Sequence, residues 1–360
     1  MSDDKLRIVE WSTGTVGKHT IAGILARPDM ELVGVWVSSD AKDGKDVGEI
    51  CGTGTLGVTA TQDKAALIAL KPDCVVHTAM TDADPFGALD LFEEFLAAGI
   101  NVVSSGPVFL QYPYGVIPDD MLVKLTKAAA AGDASLHVNG IDPGFANDVL
   151  PLVLTSLSQR IDQVRVSEIA DYSTYLQVFV NNELFGFGKP VDDVPYLFSP
   201  GILSLAWGSV VRIIAAGLDV TLDEPLEESV EFAEAERDYD TVSGPVPQGT
   251  RCAVRFQVIG KVDGEARVVL EHVTRTHAEQ RPDWPQPAGG GGCYRVEVTG
   301  EPMMTLDFQH HGEHGDHNVS GMITTAMRLV NSVDAVVAAA PGLVTALDLM
   351  HVTGRGLVTR

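Results

Sequence analysis

The chain has 360 residues, 45% of them hydrophobic and 21% charged, with 36 Gly and 19 Pro, which is the composition of a folded protein and not of a disordered or collagen-like one. At this length two domains are the better expectation, because single cores stop growing near about 250–300 residues. Acidic residues outnumber basic ones 49 to 25, for a formal net charge of −24. No Lys/Arg cluster exceeds a pair, so nucleic acid and anionic membranes, which need a basic footprint, are excluded as expected partners.

MSDDK runs straight into LRIVEW (6–11), leaving no room for a signal peptide, and no apolar run reaches the roughly 18 residues of a membrane span. A soluble, cytoplasmic protein is expected. LRIVEW reads as a strand followed by a helix over Lys18–Ala26, and ELVGVWV (31–37) as a second strand. DCVVHTAM (73–80) precedes a helical stretch over Pro85–Ala98. NVVSS (101–105) precedes another over Asp119–Ala131, and SLHVNG (135–140) follows. Apolar strands alternating with helices are the pattern of βαβ units, so this part is expected to be an α/β, doubly wound parallel sheet buried on both faces.

After Gly144 the alternation stops. LPLVLTSL (150–157) reads as a helix, QVRVSEIADY (163–172) as a strand and Gly201–Leu218 as an apolar helix. Arg251–Val262 and Ala266–Thr276 flank Asp263-Gly264 as a β-hairpin, and Tyr294–Thr299 and Met303–Phe308 add two strands. This predicts an α+β domain with a mainly antiparallel sheet. Arg281–Gly292, with three prolines and four consecutive glycines, is expected to be a surface loop, with a lid as the lesser reading. Ser320–Asp348 reads as an apolar helix broken at Pro341-Gly342 that packs back on the first domain. The expected division is 1–145, dinucleotide binding; 146–317, substrate and dimerisation; and 318–360, the C-terminal helical segment. Cys51, Cys74, Cys252 and Cys293 form no C-x-x-C pair, so neither a disulfide framework nor a zinc site is suggested.

The turn after the first strand, STGTVGKHT, matches G-x-G-x-x-G with Ser12 at the first glycine, Gly14 at the second and Gly17 at the third. The second position lets the backbone approach a pyrophosphate, and the third lets helix pack closely on strand. Ser12 is tolerable if its position needs no positive φ. This is the pattern of a Rossmann-type domain, with Ser12, Thr13, Gly14, Thr15 and Val16 expected at the phosphates. The second strand ends at Val37, and Ser38, Ser39 and Lys42 after it favour a 2′-phosphate, hence NADP(H), whereas Asp40 argues for NAD(H). Thr78 and Ala79 after one strand, Ser104, Ser105 and Gly106 after the next, and Asn139 in the loop that also holds Asp142 are expected to line the nicotinamide and ribose or the substrate.

HVNGIDPGFANDVLP (137–151), together with IVEWSTGTVGKH, NVVSSGPVFLQYP, GDHNVSGM and AAPGLVTALDL, resembles the dihydrodipicolinate-reductase-like proteins that include 2,4-diaminopentanoate dehydrogenase and the native amine dehydrogenases. The likeness spreads over nearly the whole chain. It implies NAD(P)H-dependent reduction of a C=N or C=O bond, a homodimer, and a substrate pocket between two domains. The resemblance also implies a proton-handling glutamate soon after the NV-x-S-[ST] strand, but here that turn reads Gly106, Pro107, Val108, Phe109, with no carboxylate. The lysine and histidine pair of true dihydrodipicolinate reductases is not evident either.

Another residue must then serve as proton donor. Tyr112 follows the vacant turn closely, and Glu168, Asp171 and Tyr175 lie on EIADYSTY. If the strand continues through Tyr175, parity puts Asp171, Ser173 and Tyr175 on one face, which makes Asp171 and Tyr175 the candidates with Tyr112. The tract HHGEHGDHN (310–318) has the residue types of a metal site, but hydride transfer needs no metal and two glycines break any fixed spacing. It is read as a polar hinge without metal that places His317 and Asn318 near the cofactor. The leading expectation is an NADP(H)-dependent oxidoreductase acting on a carbonyl or imine carbon of a small, largely apolar substrate. The alternative is a nucleotide-binding sensor that kept the fold and lost turnover.

Overall fold

The computed structural model describes residues 5–357 apart from Ala83, His314 and Met350. The chain forms two compact units, one of Met1–Ile141 with Met322–Arg360 and the other of Asp142–Gly321, so the divisions fall a few residues from those at 145 and 317. No helix of the described residues is long and apolar enough to cross a membrane.

The first unit runs β1 (Leu6–Trp11), α1 (Thr15–Ala26), β2 (Met30–Trp36), α2 (Val47–Cys51), β3 (Ala60–Thr61), α3 (Lys64–Ala69), β4 (Cys74–His77), α4 (Gly87–Ala97), β5 (Asn101–Ser104), α5 (Asp119–Gly132) and β6 (Ser135–Val138). β4, β5 and β6 are buried along their whole length, as expected of strands covered by helices on both faces. With β15 (Gly342–Val344) they make a seven-stranded sheet in the order β15-β6-β5-β4-β1-β2-β3, with every adjacent pair parallel. Chain progression reverses between β1 and β4. Open α/β sheets bind ligands at the carboxyl ends of the strands at such a point.

The tail differs from the single broken helix expected for 320–348. α8 spans His317–Val337, and beyond Pro341 the chain enters β15, pairing with Ser135–His137 of β6. Pro341 cannot continue a helical ladder and Gly342 sits at φ 151°, so the backbone swings to extended geometry. Met322, Ala326, Leu329, Val330, Val333 and Val336 recur at helical spacing and are buried, the last four in one core with Ile21, Ile24 and Leu32.

The second unit contains α6 (Val149–Thr155), β7 (Arg160–Asp171), α7 (Ile202–Gly217), β8 (Glu227–Glu234), β9 (Tyr239–Thr241), β10 (Gly244–Val246), β11 (Arg251–Val262), β12 (Glu265–Arg275), β13 (Gly292–Glu301) and β14 (Met304–Phe308). Its six-stranded sheet has the order β14-β13-β7-β12-β11-β8. All of its pairs are antiparallel except β7 with β12. The β11–β12 hairpin turns where the sequence places it, with Asp263 at φ 53° and Gly264 at φ 82°, the two positive values that a tight two-residue turn requires. The loop after β12 lies pinned, because buried Arg275 donates to the carbonyls of Gln280 at 2.8 Å, Arg281 at 3.2 Å and Pro285 at 2.8 Å.

Candidate active site

The first unit carries a built phosphate turn. A Cβ on Gly17 would stand 2.4 Å from the Ser12 carbonyl oxygen and 2.9 Å from the Thr78 hydroxyl, so only glycine allows α1 to approach the strand ends this closely. Gly14 caps α1 without a side-chain hydrogen bond, and the first turn holds no acidic residue. That leaves backbone N–H groups and the positive end of the helix dipole for an anion, and Thr15 and Val16 lie in this turn. These residues fit a dinucleotide. One assumption fails: Ser12 sits at φ 137°, so the first glycine position does demand a conformation that L-residues rarely adopt, and its hydroxyl accepts from the Gly14 N–H at 3.1 Å.

Lys42 reaches back to this turn, its Nζ 2.9 Å from the Thr13 hydroxyl, while Ser38, Ser39 and Asp40 are exposed beside it. Other expected cofactor residues have protein partners of their own. The Thr78 hydroxyl donates to Glu10, a fully buried carboxyl whose second oxygen has no partner and which burial pushes well above the usual carboxylate range. Ala79 is half-buried next to it. The Ser104 hydroxyl donates to the Gly106 carbonyl at 2.5 Å and accepts from the Gly106 N–H at 3.2 Å, bracing the turn through Ser105. The Asn139 side chain accepts from Arg328 at 3.0 Å. Tyr112, also in this unit, is half-buried at 5.1 Å from the Tyr114 ring, and burial raises its phenol.

In the second unit the strand on which Asp171 and Tyr175 were placed by parity ends early. β7 stops at Asp171, and the Tyr175 N–H donates to the Tyr172 carbonyl, so 172–175 is a turn and the shared face of Asp171, Ser173 and Tyr175 does not form. The Asp171 carboxylate instead accepts from the Ser173 N–H at 2.8 Å. His317 Nε2 lies 2.7 Å from the Asp171 carbonyl, to which Asn318 donates at 2.9 Å, so both hold the end of β7. Asn318 also donates to the Thr174 hydroxyl at 2.8 Å. In the histidine tract, His314 lies outside the described residues.

Among the described residues, one group brings three carboxylate or imidazole groups together: Asp142, Glu168 and His272, with one atom of each within 4.8 Å of the others. Glu168 sits mid-sheet, paired in register with His272 of β12 on one side and Tyr294 of β13 on the other. The Tyr172 hydroxyl donates to Glu168 at 2.5 Å, and Asn147 donates to Asp142 at 2.6 Å. Trp207 and Phe256 wall the imidazole at ring distances of 5.0 and 4.8 Å. His272 Nε2 lies 3.4 Å from Asp142, an ion contact whose angles make no hydrogen bond, and neither ring nitrogen has a hydrogen-bond partner. Burial, then repulsion from Asp142, pushes Glu168 up to about 7, against the opposing pull of His272 and Tyr172. Burial pulls His272 down, but Asp142, Glu168 and Glu271 together leave it raised.

Glu168 is visible in EIADYSTY, but a strand continuing to Tyr175 would favour the face of Asp171 and Tyr175, and β7 ends at Asp171. Nothing in the local sequence motifs singles out His272 or Tyr294. The signal for His272 is its place in V-x-L-x-H-x-T (268–274), a polar ring in the middle of a mostly apolar, fully buried stretch of strand.

Comparison with known proteins accounts for both units. Residues 145–354 match the 2,4-diaminopentanoate dehydrogenase C-terminal domain, and residues 8–105 the dihydrodipicolinate reductase N-terminus. An amine dehydrogenase of Streptomyces virginiae is 39% identical over 343 residues, covering 95% of each chain. The 2,4-diaminopentanoate dehydrogenase of Acetoanaerobium sticklandii is 21% identical, covering 96% of this chain and 94% of its own. Among solved structures, the amine dehydrogenase from Mycobacterium smegmatis has the same fold, with a TM-score of 0.78 at 19% identity over 98% of both chains.

Proposed function

Because the chain belongs to the family of 2,4-diaminopentanoate dehydrogenase and amine dehydrogenase, and is thus a dehydrogenase with a nicotinamide cofactor, we propose that it moves a hydride to or from the carbon of a C=N or C=O bond in a small, largely apolar substrate, with NADP(H) preferred. The observation that carries this reading is the phosphate turn: an uncapped helix N-terminus at Gly14, the close approach at Gly17 and Lys42 on Thr13. When bound, the reduced nicotinamide supplies the hydride. The chain's own part is to hold the phosphates on the first turn of α1 and to offer Lys42, Ser38 and Ser39 to a 2′-phosphate. Lys42→Ala is expected to weaken NADPH binding about 10-fold, the worth of one charged contact of ~1–2 kcal/mol, and NADH binding much less. Fluorescence titration of both nucleotides measures this, and equal losses would remove the preference for NADP(H).

The turn Gly106–Phe109 carries no carboxylate, which favours a second reading as a nucleotide-binding sensor. Tight NADPH binding with no NADPH oxidation across ketones and aldehydes, with and without ammonium, would establish it. A homodimer is proposed as well, and light scattering of the purified protein tests it.

A further inference from the structure

Resting on the dehydrogenase reading, we propose that the proton-handling centre missing from the Gly106–Phe109 turn stands on the sheet of the second unit, where Glu168 is the catalytic carboxylate, Asp142 and His272 complete a site for a protonated amine, and Tyr172 positions Glu168.

The same sheet shows what a structural buried carboxylate looks like. Glu271, one residue before His272 and therefore on the opposite face, takes hydrogen bonds from Arg255 at 2.9 Å, Gln257 at 2.8 Å and Ser167 at 3.3 Å, with Arg165 at 3.3 Å. It is neutralised in place. Glu168 is buried too but meets only the Tyr172 hydroxyl in hydrogen bonding, and the charges acting on it are those of His272 and Asp142. His272 and Asp142 have side chains only 3% and 2% exposed, and the imidazole faces the carboxylates without a hydrogen bond. Buried polar groups left in this state mark a site meant for something else to complete. With His272 protonated and both carboxylates ionised the cluster carries one net negative charge. A single ammonium group neutralises it and supplies N–H donors to two carboxylates that take one hydrogen bond each, from Tyr172 and from Asn147.

The arrangement performs the condensation of a ketone or aldehyde carbonyl with ammonium, which yields an iminium ion and one water. Glu168 takes a proton from ammonium, the freed nitrogen pair forms the C–N bond, and the carbonyl π pair moves to oxygen, which takes the proton from Glu168. Glu168 then removes a second proton from nitrogen and returns it to the hydroxyl, which leaves as water while the nitrogen pair closes the C=N bond. Carbon and nitrogen end as an iminium with Glu168 ionised again. Asp142 and His272 hold the charge constant around these transfers. Tyr172, tilted against Tyr175 at 4.5 Å, fixes the carboxylate through its hydroxyl and favours the ionised form. Tyr294 and Tyr175 are the other ionisable groups facing this space.

The test uses the full-length protein loaded with NADPH and carrying histidine labelled with carbon-13 at Cε1, the His272 resonance being assigned by its loss in His272→Gln. Ammonium and methylammonium chloride are expected to shift that resonance saturably, tetramethylammonium not to, and Glu168→Gln to abolish the shift. A shift that persists in Glu168→Gln, or that tetramethylammonium reproduces, overturns the site. In NADPH oxidation with a ketone and ammonium, Glu168→Gln is expected to lower kcat at least 100-fold with NADPH affinity within twofold. Tyr172→Phe is expected to lower kcat about 10-fold and move the acid limb of the pH profile to higher pH. A Tyr172→Phe protein with an unmoved limb overturns the positioning role. If the wild-type protein oxidises no NADPH, it is the dehydrogenase reading that fails, and the resonance titration still decides the cation site.

Discussion

Gly17 and Ser12 show how much of the cofactor turn rests on single atoms. A methyl group at position 17 would have to occupy space 2.4 Å from the Ser12 carbonyl, and that carbonyl belongs to a backbone already held at positive φ. Gly17→Ala is therefore expected to cost about 2–3 kcal/mol, the upper range for overpacking, because backbone must move to admit the methyl. For a unit of this size that is a fall in Tm of roughly 5–10 °C, checked by calorimetry, together with weaker NADPH binding. An unchanged Tm would mean that α1 shifts freely. Gly14 and Gly17 are legible from their spacing alone, because the chemistry of a phosphate turn is local. Glu168 and His272 are not, since neither has a motif. What joins them is the parallel register of β7 with β12, a pairing across a hundred residues that no local pattern encodes.

At the scale of elements, the loop 281–291 is instructive. Its prolines and glycines announce irregular backbone, and the structure adds the reason it is ordered: three of its carbonyls, or those beside it, converge on the Arg275 guanidinium at the end of β12, and Arg281 covers the Trp284 ring at 4.1 Å. Arg275→Ala would leave those carbonyls without their donor, and the loop is expected to become the first site of cleavage in limited proteolysis, with a local loss of about 2–3 kcal/mol. Wild-type resistance matched by the variant would show that Trp284 alone holds it. Sequence pattern read the strongly periodic elements well, including α7 and the β11–β12 hairpin. It missed β8, whose EESVEFAE mixes four glutamates with small and apolar residues in no strict alternation. Glu227, Glu231 and Glu234 are exposed on it, charges of the kind that keep an edge strand from pairing with another chain. It also missed β15, because three residues after a helix break have no period to read and gain their strand geometry only from β6.

Across the whole molecule, ionisation behaves as two opposed sets of buried groups. His77 and His137, both fully enclosed, are held down at about 4 by burial. Their contribution is present above the unfolded value near 6.5 and is lost as pH falls toward 4, by up to about 3 kcal/mol each. Glu168 and Glu10 are raised, so their contributions are present below the unfolded value of about 4.5 and are lost as pH rises through the folded values, and raised His272 loses its own in the same direction. Between about pH 4.5 and 6.5 the two sets offset one another. Above about 6.5 the histidine gain is complete, while raised Glu10 goes on losing its contribution as pH rises through its folded value, so Tm is expected to fall toward alkaline pH. Glu10→Gln keeps the acceptor for the Thr78 hydroxyl and cannot ionise, so it should remove Glu10's share of that fall. Tm measured from pH 5 to 9 in both proteins tests this, and identical slopes in wild type and Glu10→Gln would mean that Glu10 does not carry the fall.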